Sequence, residues 1–369
     1  MMRTAVVILN WNTKGYLEKF LPGLLASMPE GAEVVVADSA STDGSMGMLS
    51  QQFPSVRQIR LDRNYGFTGG YNRAFRELCA MEDAAGLEYF TLINSDVEVT
   101  PGWLEPLIEW MDRHPDCAAC GPKILSYSAK DSFEYAGAAG GCLDKYGYPF
   151  CRGRVLKRVE KDLGQYDSPA DVFWVSGACM LVRKEEFRKM GGLDDRFFAH
   201  MEEIDLCWRL QLEGKRICVV PKSSVYHIGG GTLPENSPWK LKLNYRNDLL
   251  MLENNLARTY SLAAVRELVP EKAARKACSR ARWTIFLRKC LDLCSATVYL
   301  LKRNKAAYRA VIDAHKEYKA LKKGIKLSDI QEYASRHRNI SIPTLFPGWI
   351  VPLAFIKGNG IFEYLRKRI

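Results

Sequence analysis

The 369 residues, 47% apolar and 26% charged, describe a globular chain large enough for one large domain or two ordinary ones, and they exclude a disordered or fibrous protein. No stretch reaches the ~18 uninterrupted apolar residues of a spanning helix, and the opening "MMRTAVVILN" reads as a buried strand without a small-residue cleavage site; neither a membrane span nor a signal peptide is expected. The net charge of +11 is uneven: residues 257 to 369 carry 24 Lys and Arg against 8 Asp and Glu, a surplus of +16, and residues 1 to 256 carry 29 against 34, or −5.

In chain order, the first hundred residues alternate β-rich runs with helical patterns. "TAVVILN" (4 to 10), "AEVVVADS" (32 to 39), "RQIRL" (57 to 61) and "YFTLIN" (89 to 94) read as strands. Between them, "GYLEKFLPGLLASM", "SMGMLSQQF" and "GGYNRAFRELCAME" read as helices. Strand, helix, strand at this spacing predicts right-handed crossovers and a mostly parallel central sheet in an α/β fold, with ligands at the carboxyl ends of the strands. Asn10, Asp38 and Asn94 fall at those ends and are expected to line one crevice. Residues 126 to 169 are rich in Gly, Tyr and charge and read as a loop-rich excursion over that crevice. "DVFWVSGACMLVRKEEF" (171 to 187) reads as a strand with a Gly interruption and then a helix, and "RICVVPKSSVYHIGG" (216 to 230) as a last strand pair. Leu241, Tyr245, Leu249, Leu252 and Leu256 recur at helical spacing, basic amphipathic helices follow to about Leu327, and "IPTLFPGWIVPLAFI" is an aromatic, Pro-broken tail. The expected division is 1–256, a nucleotide-binding domain, and 257–369, a basic helical region.

The charge asymmetry suits an acidic first part that holds a metal and a basic second part that meets a phosphate-rich or anionic-lipid surface. Trp283, Phe286, Leu287, Leu291 and Tyr299 interleave with Arg282, Arg288, Lys289, Lys302 and Arg303, a pattern for an anionic membrane surface or for solvated faces of packed helices. The 11 scattered cysteines, odd in number, read as reduced thiols in a cytoplasmic compartment. Cys117-Ala-Ala-Cys120 has zinc-knuckle spacing without a second pair, so buried thiols are expected there.

Three polar clusters carry chemistry. Asp38 ends a strand and enters "SASTDGS", where it either accepts from a base N–H or ribose hydroxyl or serves ordinary turn chemistry. Asn94-Ser95-Asp96 places Asn94 and Asp96 on one side of extended chain, suited to a diphosphate with a divalent metal or to an Asx turn. Glu202, Glu203 and Asp205 open a helix; capping explains one or two of them, and clustered repulsion can raise one pKa as a general base requires. His227, before Gly229-Gly230-Gly231, is structural or binds metal or diphosphate.

In their order, "VVILNWNTKGYLEKFLPGLL", "VVVADSASTDGS", "NYGFTGGYNRA", "TLINSDVEVTPGWLEPL", "VSGACMLVRKEEFRKMGGLDDRFFAHMEEIDLCWRL" and "SSVYHIGGGT" resemble the family 2 glycosyltransferases, and within them the rhamnosyltransferase-like enzymes, over roughly residues 3 to 256. The resemblance implies a GT-A type nucleotide-diphospho-sugar transferase fold and an inverting enzyme. Its donor is expected to be dTDP-rhamnose, otherwise a UDP-hexose, and its acceptor a glycan or lipid-linked glycan in polysaccharide biosynthesis. By the same resemblance Asp96 binds Mg²⁺ or Mn²⁺, with Asn94 in place of the family's first Asp and His227 at the metal or diphosphate. Asp38 takes the base, with Asn10, Asn12, Ser41, Asn64 and Gly69 in the donor pocket and Trp174 to Gly177 near the sugar. Glu203 is the candidate base, Glu202 contends with it, and Asp205 braces the helix or the acceptor site.

The rivals are a sugar-phosphate nucleotidyltransferase, against which "NWNTKGYLEKF" stands in place of a Gly-rich basic loop, and an inactive membrane-surface or nucleic-acid binding protein on the same fold. Intact acids at all three strand-end and helix-start positions count against the latter, and nucleic acid is not the expected partner. The expected location is cytoplasmic, peripheral at the inner face of the plasma membrane.

Overall fold

Four runs of β-branched and aromatic residues form the parallel strands β1 (Thr4–Asn10), β2 (Ala32–Asp38), β3 (Arg57–Arg60) and β4 (Tyr89–Ile93) in the computed structural model, which describes residues 2–229 and 237–369. The helices α1 (Lys14–Ala26), α2 (Ser45–Gln52) and α3 (Gly66–Cys79) connect them in sequence. The chain runs outward from β1 to β2 to β3, then α3 carries it back so that β4 pairs with the other edge of β1. Strand order therefore reverses between β1 and β4, the position at which open α/β sheets leave a crevice beyond their carboxyl ends. Helix α3 lies close against this point: a Cβ on Gly70 would stand 2.6 Å from Leu9. The buried Tyr71 hydroxyl donates toward the carbonyls of both Val7 (3.2 Å) and Ile93 (3.1 Å).

Beyond β4 come β5 (Val97–Val99), α4 (Glu105–Arg113) and β6 (Cys117–Ser126). The loop-rich excursion contains four short strands, β7 (Gly141–Asp144), β8 (Pro149–Cys151), β9 (Arg154–Val155) and β10 (Arg158–Val159). Next follow β11 (Ala170–Asp171), β12 (Cys179–Arg183), α5 (Lys184–Lys189), α6 (Glu202–Leu212) and β13 (Arg216–His227). The main sheet has the order β11-β13-β6-β12-β4-β1-β2-β3, with β5 on β13. Only its β4-β1-β2-β3 half is parallel throughout; β12 inserts antiparallel between β4 and β6, and β13 runs parallel to β6. The expected strand pair at 216 to 230 is a single strand. Its register slips between Val219 and Ser224, where Pro221 faces a partner segment that holds Pro122, and a proline cannot donate to the ladder. Cys117 and Cys120 are buried in β6 as free thiols.

The remaining helices are α7 (Pro238–Ala264), α8 (Pro270–Leu301), α9 (Lys305–Leu321) and α10 (Leu327–Arg336), followed by β14 (Leu345–Phe346), α11 (Ile350–Lys357) and α12 (Ile361–Arg366). Two compact units result: Met1–Phe198, Lys215–Thr232 and Thr344–Ile369 form the first, and Ala199–Gly214 and Leu233–Pro343 the second. Residue 256, where the composition changes, lies inside the continuous helix α7, so the expected division at that residue does not follow the units. The aromatic tail belongs to the first unit: β14 adds to β7 in a five-stranded sheet, and Phe346, Ile350, Ile361 and Leu365 share a core with Cys142, Phe150 and Val155. The buried Asp144 carboxylate accepts from the Ile350 amide at 2.9 Å and from the amides of Tyr146 and Tyr148, which fixes the joint.

Candidate functional site

At the tips of β1 and β2, Asn10 and Asp38 are register partners. The buried Asn10 amide donates to Asp38 Oδ1 (2.7 Å), Ser45 Oγ (2.8 Å) and Ser41 Oγ (3.1 Å), and its Oδ1 accepts from the Thr13 hydroxyl at 2.6 Å. Asp38 Oδ2 accepts from the Ser41 amide at 3.0 Å. Asn12, in a left-handed conformation (φ 55°), accepts from the Thr42 amide at 2.8 Å while its own amide donates to Ser41 Oγ at 2.9 Å. Asp43 closes the net by accepting from the amides of Lys14 and Ser45. Burial alone would raise the Asp43 carboxyl, but the hydrogen bonds from Ser45 and Lys14 outweigh it and hold it below its ordinary value. Two loops are thereby locked into one platform, and Asn10 spends its polar atoms inside it. Trp11, next to Asn10 in the chain, is 42% exposed. Sequence reasoning passed over it, although its place between Asn10 and Asn12 was the available signal.

Asn64 and Gly69 shape the start of α3. The Gly66 amide donates to Asn64 Oδ1 at 2.8 Å, and a Cβ on Gly69 would meet Tyr65 Cβ at 2.9 Å.

The third strand tip brings Asn94, Asp96 and His227 together. Strand β13 pairs with β5 so that His227 is opposite Val97, one residue past Asp96. His227 Nε2 lies 3.2 Å from Asp96 Oδ1 and 3.4 Å from Asn94 Nδ2. On its other edge Nδ1 lies 3.6 Å from Glu134 Oε2, an ionic approach too long for a hydrogen bond. Asp96, Glu134 and His227 are all buried. Burial opposes a charged imidazole, but the two carboxylates overcome it and push His227 up to about 10. Glu134 comes from the irregular excursion, where no pattern in the sequence marked it. The Asn94 amide donates to the Ala178 carbonyl at 3.0 Å, which seats the turn containing Ser176 and Gly177 on this tip. The Trp174 indole N–H donates to Cys142 O at 3.0 Å, and its ring lies where a Cβ on Gly141 would come within 2.0 Å.

The residues fit a divalent ion that takes the place of the proton on His227 Nε2, since a ligating imidazole is neutral. Neighbouring ligand atoms around an octahedral Mg²⁺ or Mn²⁺ with bonds of about 2.1 Å are about 3.0 Å apart, close to the Asp96–His227 separation of 3.2 Å. Among the described residues no three His, Cys, Asp or Glu side chains surround one metal position, so an ion there would take further oxygens from outside the protein, as Mg²⁺ does in phosphate sites. The glycines after Gly229 lie outside the described residues.

In the second unit, the three acids of α6 have distinct surroundings. Asp205 is fully buried and braced: Oδ2 accepts from Arg209 (2.7 Å), and Oδ1 from Asn254 (2.9 Å) and Asn255 (2.8 Å) of α7. Glu202 is buried with Oε2 unpartnered; burial first, then the charges of Glu203 and Asp205, hold its carboxyl well above the ordinary range. Glu203 is half-buried. The approach to this helix is strained, with φ of 63° at Phe198, 72° at His200 and 71° at Met201. Asn247 of α7 holds that turn: its Nδ2 donates to the carbonyls of Ala199 and His200, each at 2.7 Å. Arg246 Nε donates to Asn247 Oδ1 at 2.9 Å, which sets the amide orientation.

A family model described as Glycosyl transferase family 2 matches residues 5–191. N-acetylglucosaminyl-diphospho-decaprenol L-rhamnosyltransferase of Mycobacterium tuberculosis is 31% identical over 233 residues, 60% of this chain and 75% of that protein. Rhamnosyltransferase WbbL of Escherichia coli K12 is 25% identical over 247 residues, 65% of this chain and 90% of that protein. Among solved structures, GalNAc-T7 with UDP, GalNAc and Mn²⁺ superposes with a TM-score of 0.51 at 17% identity, covering 71% of this chain and 50% of that one, a likeness of fold.

Proposed function

The chain belongs to glycosyl transferase family 2 and has the GT-A fold, and from that premise we propose a metal-dependent inverting enzyme that moves L-rhamnose from dTDP-rhamnose to a hydroxyl of a lipid-linked glycan. The names of the two rhamnosyltransferase relatives support the sugar, and that of the mycobacterial relative supports a polyprenyl-diphosphate acceptor in cell-surface polysaccharide synthesis. The observation that carries the reading is the convergence of Asn94, Asp96 and His227 at the strand-order reversal, next to the Asn10–Asp38 platform.

Asp38 keeps unused lone pairs for a base or ribose donor, and the Trp11 face suits stacking on the base. Asp96 and His227 would hold Mg²⁺ or Mn²⁺, which when bound neutralises charge on a diphosphate leaving group. Of the acids on α6, a general base must be anionic and reachable. Burial and then the charges of Glu203 and Asp205 raise the proton affinity of Glu202, and Asp205 is tied up by three donors, which leaves Glu203, the acid of the three with exposed surface. The acceptor hydroxyl gives its proton to the Glu203 carboxylate as its oxygen attacks the anomeric carbon from the face opposite the nucleotide. The bond from that carbon to the diphosphate oxygen breaks, its electron pair leaves with dTDP, and no covalent sugar-enzyme intermediate forms.

The test is a donor-hydrolysis screen of dTDP-rhamnose against UDP- and GDP-sugars, each with Mn²⁺ and with EDTA. Release of dTDP from dTDP-rhamnose alone, dependent on Mn²⁺ and lost in Asp96→Asn, is expected. Release from a UDP-hexose instead would overturn the donor, and equal release in EDTA would overturn the metal. No described helix is long and apolar enough to cross a membrane; a peripheral position at the inner face of the plasma membrane completes the proposal.

A further inference from the structure

Helix α8 has a buried face that its own unit covers and an apolar face opposite it. The inner face is lined by small or paired residues, Ala277, Ala281, Thr284, Arg288, Asp292 and Ala296, all buried. Its charges are cancelled there: Arg288 donates to Asp292 Oδ1 at 3.1 Å and also pairs with Asp248, and His315 Nε2 stands 3.2 Å from Asp292 Oδ2. On the opposite side Trp283, Phe286, Leu293, Val298, Leu300 and Leu301 stand in water, from 46% exposed at Leu293 to 78% at Leu301. Spacings of three, seven, five, two and one place these six on one broad stripe of a 3.6-residue helix, centred about 180° from the buried one. From Trp283 to Leu301 it runs about 27 Å, and the rings of Trp283 and Phe286 stack at 5.5 Å. An exposed apolar stripe of this length is more than the scattered hydrophobes of an ordinary surface.

Charge identifies what covers it. From Lys272 to Ile312 the sequence contains one acid, Asp292, and it is buried. Exposed cations bracket the stripe: Lys272, Arg275, Lys276, Arg280 and Arg282 precede it, and Lys302, Arg303 and Lys305 follow. Cations at both ends, Trp and Phe at one, Leu at the other and no exposed acid between are the features of a helix that lies in a bilayer interface, with apolar side chains among the acyl chains and cations at lipid phosphates. A second copy of the same face would bring like charges together at both ends.

We infer that the outward face of α8 is a docking surface for an anionic lipid bilayer. The inference gives the proposed membrane location a defined surface and rests on that reading for its biological sense, while its argument is confined to α8. Apolar burial holds the helix in the interface, and the flanking cations select anionic headgroups.

The full chain is tested by flotation with vesicles of pure phosphatidylcholine and of phosphatidylcholine rich in phosphatidylglycerol. Binding to the second and little to the first is expected. Trp283→Asp/Phe286→Asp should weaken partition about tenfold or more, and Lys302→Glu/Arg303→Glu should remove the preference for phosphatidylglycerol. Both pairs are exposed, so thermal unfolding and metal-dependent donor hydrolysis should match the parent. Full binding by the Asp double variant would overturn the assignment, as would absence of parent flotation. So would concentration-dependent self-association abolished by Trp283→Asp, which would make a second copy the occupant. Loss of donor hydrolysis in the parent with flotation intact would instead count against the enzymatic reading and leave this surface standing.

Discussion

At the strand tips of the first unit, each buried aspartate is met by a donor: Asp38 by Asn10 and the Ser41 amide, Asp96 by His227. At the start of α6 in the second unit, three acids within four residues have unlike surroundings. Asp205 takes three donors, Glu202 is buried with an unpartnered oxygen, and Glu203 is half-buried. Carboxylates are each given a donor in one region and set in unlike surroundings in the other. A charge meant to attract a cation is best held fixed and ionised, whereas proton transfer needs neighbours whose affinities for the proton have been driven apart.

The comparison breaks first at Asp96. Asp96→Asn keeps the shape and removes the charge, and should cost about 10³-fold in Mn²⁺-supported kcat/KM with little change in Tm; an equal loss with and without metal would deny it the cation. In the other region, Glu203→Gln should lower kcat by about 10²- to 10³-fold with donor affinity unchanged. Glu202→Gln should cost less than about tenfold, because burial already raises the proton affinity of this carboxyl and an amide has the shape of the protonated acid. Steady-state kinetics with the reverse ranking would exchange their roles. A smaller effect is expected at Asn247: Asn247→Ala strands two carbonyls and Arg246 Nε, lowering stability by about 1–3 kcal/mol in denaturant unfolding. Its kcat should fall while the donor Kd holds, since the turn it supports leads into α6.

The last effect vanishes near neutral pH and is read as a slope. Burial, then Lys240, pushes His200 down to about 4. The folded protein keeps this imidazole neutral, so stability should decline as pH falls below the unfolded value of about 6.5 and level off near 4. His200→Gln should flatten that arm in a Tm series. The difference between variant and parent isolates it from Glu202, whose raised carboxyl acts with opposite sign over the same range.

Legibility followed distance along the chain. Asp38 and Asp96 were readable because a buried apolar run that stops at a carboxylate is a local pattern, and β1 to β4 with their crossovers set where the tips would meet. The acids of α6 were visible as a group but not as individuals, because what separates Asp205 from Glu203 is Asn254 and Asn255, some fifty residues on. Those asparagines, like Asn247, look in sequence like the solvent side of a leucine-patterned helix; two of them, Asn247 and Asn255, are completely buried. Glu134 had no pattern to mark it, since an irregular excursion has no period. The tail was read as part of the basic helical region because charge composition registers neighbours along the chain, and the partners of Phe346 lie near residue 143.

That last pairing has a consequence for synthesis. Leu345 of β14 seeks Leu143 of β7 across about two hundred residues, and a ribosome adding roughly 5–20 residues per second leaves the site waiting on the order of 10 to 40 s. During that interval Cys142, Phe150 and Val155 have emerged without the apolar surface that seals them. The second unit, threaded between the two halves of the pairing, leaves the ribosome complete before the first can close. The insert is thus finished before its host, and the nascent half-sheet is the aggregation-exposed part of the chain until β14 arrives.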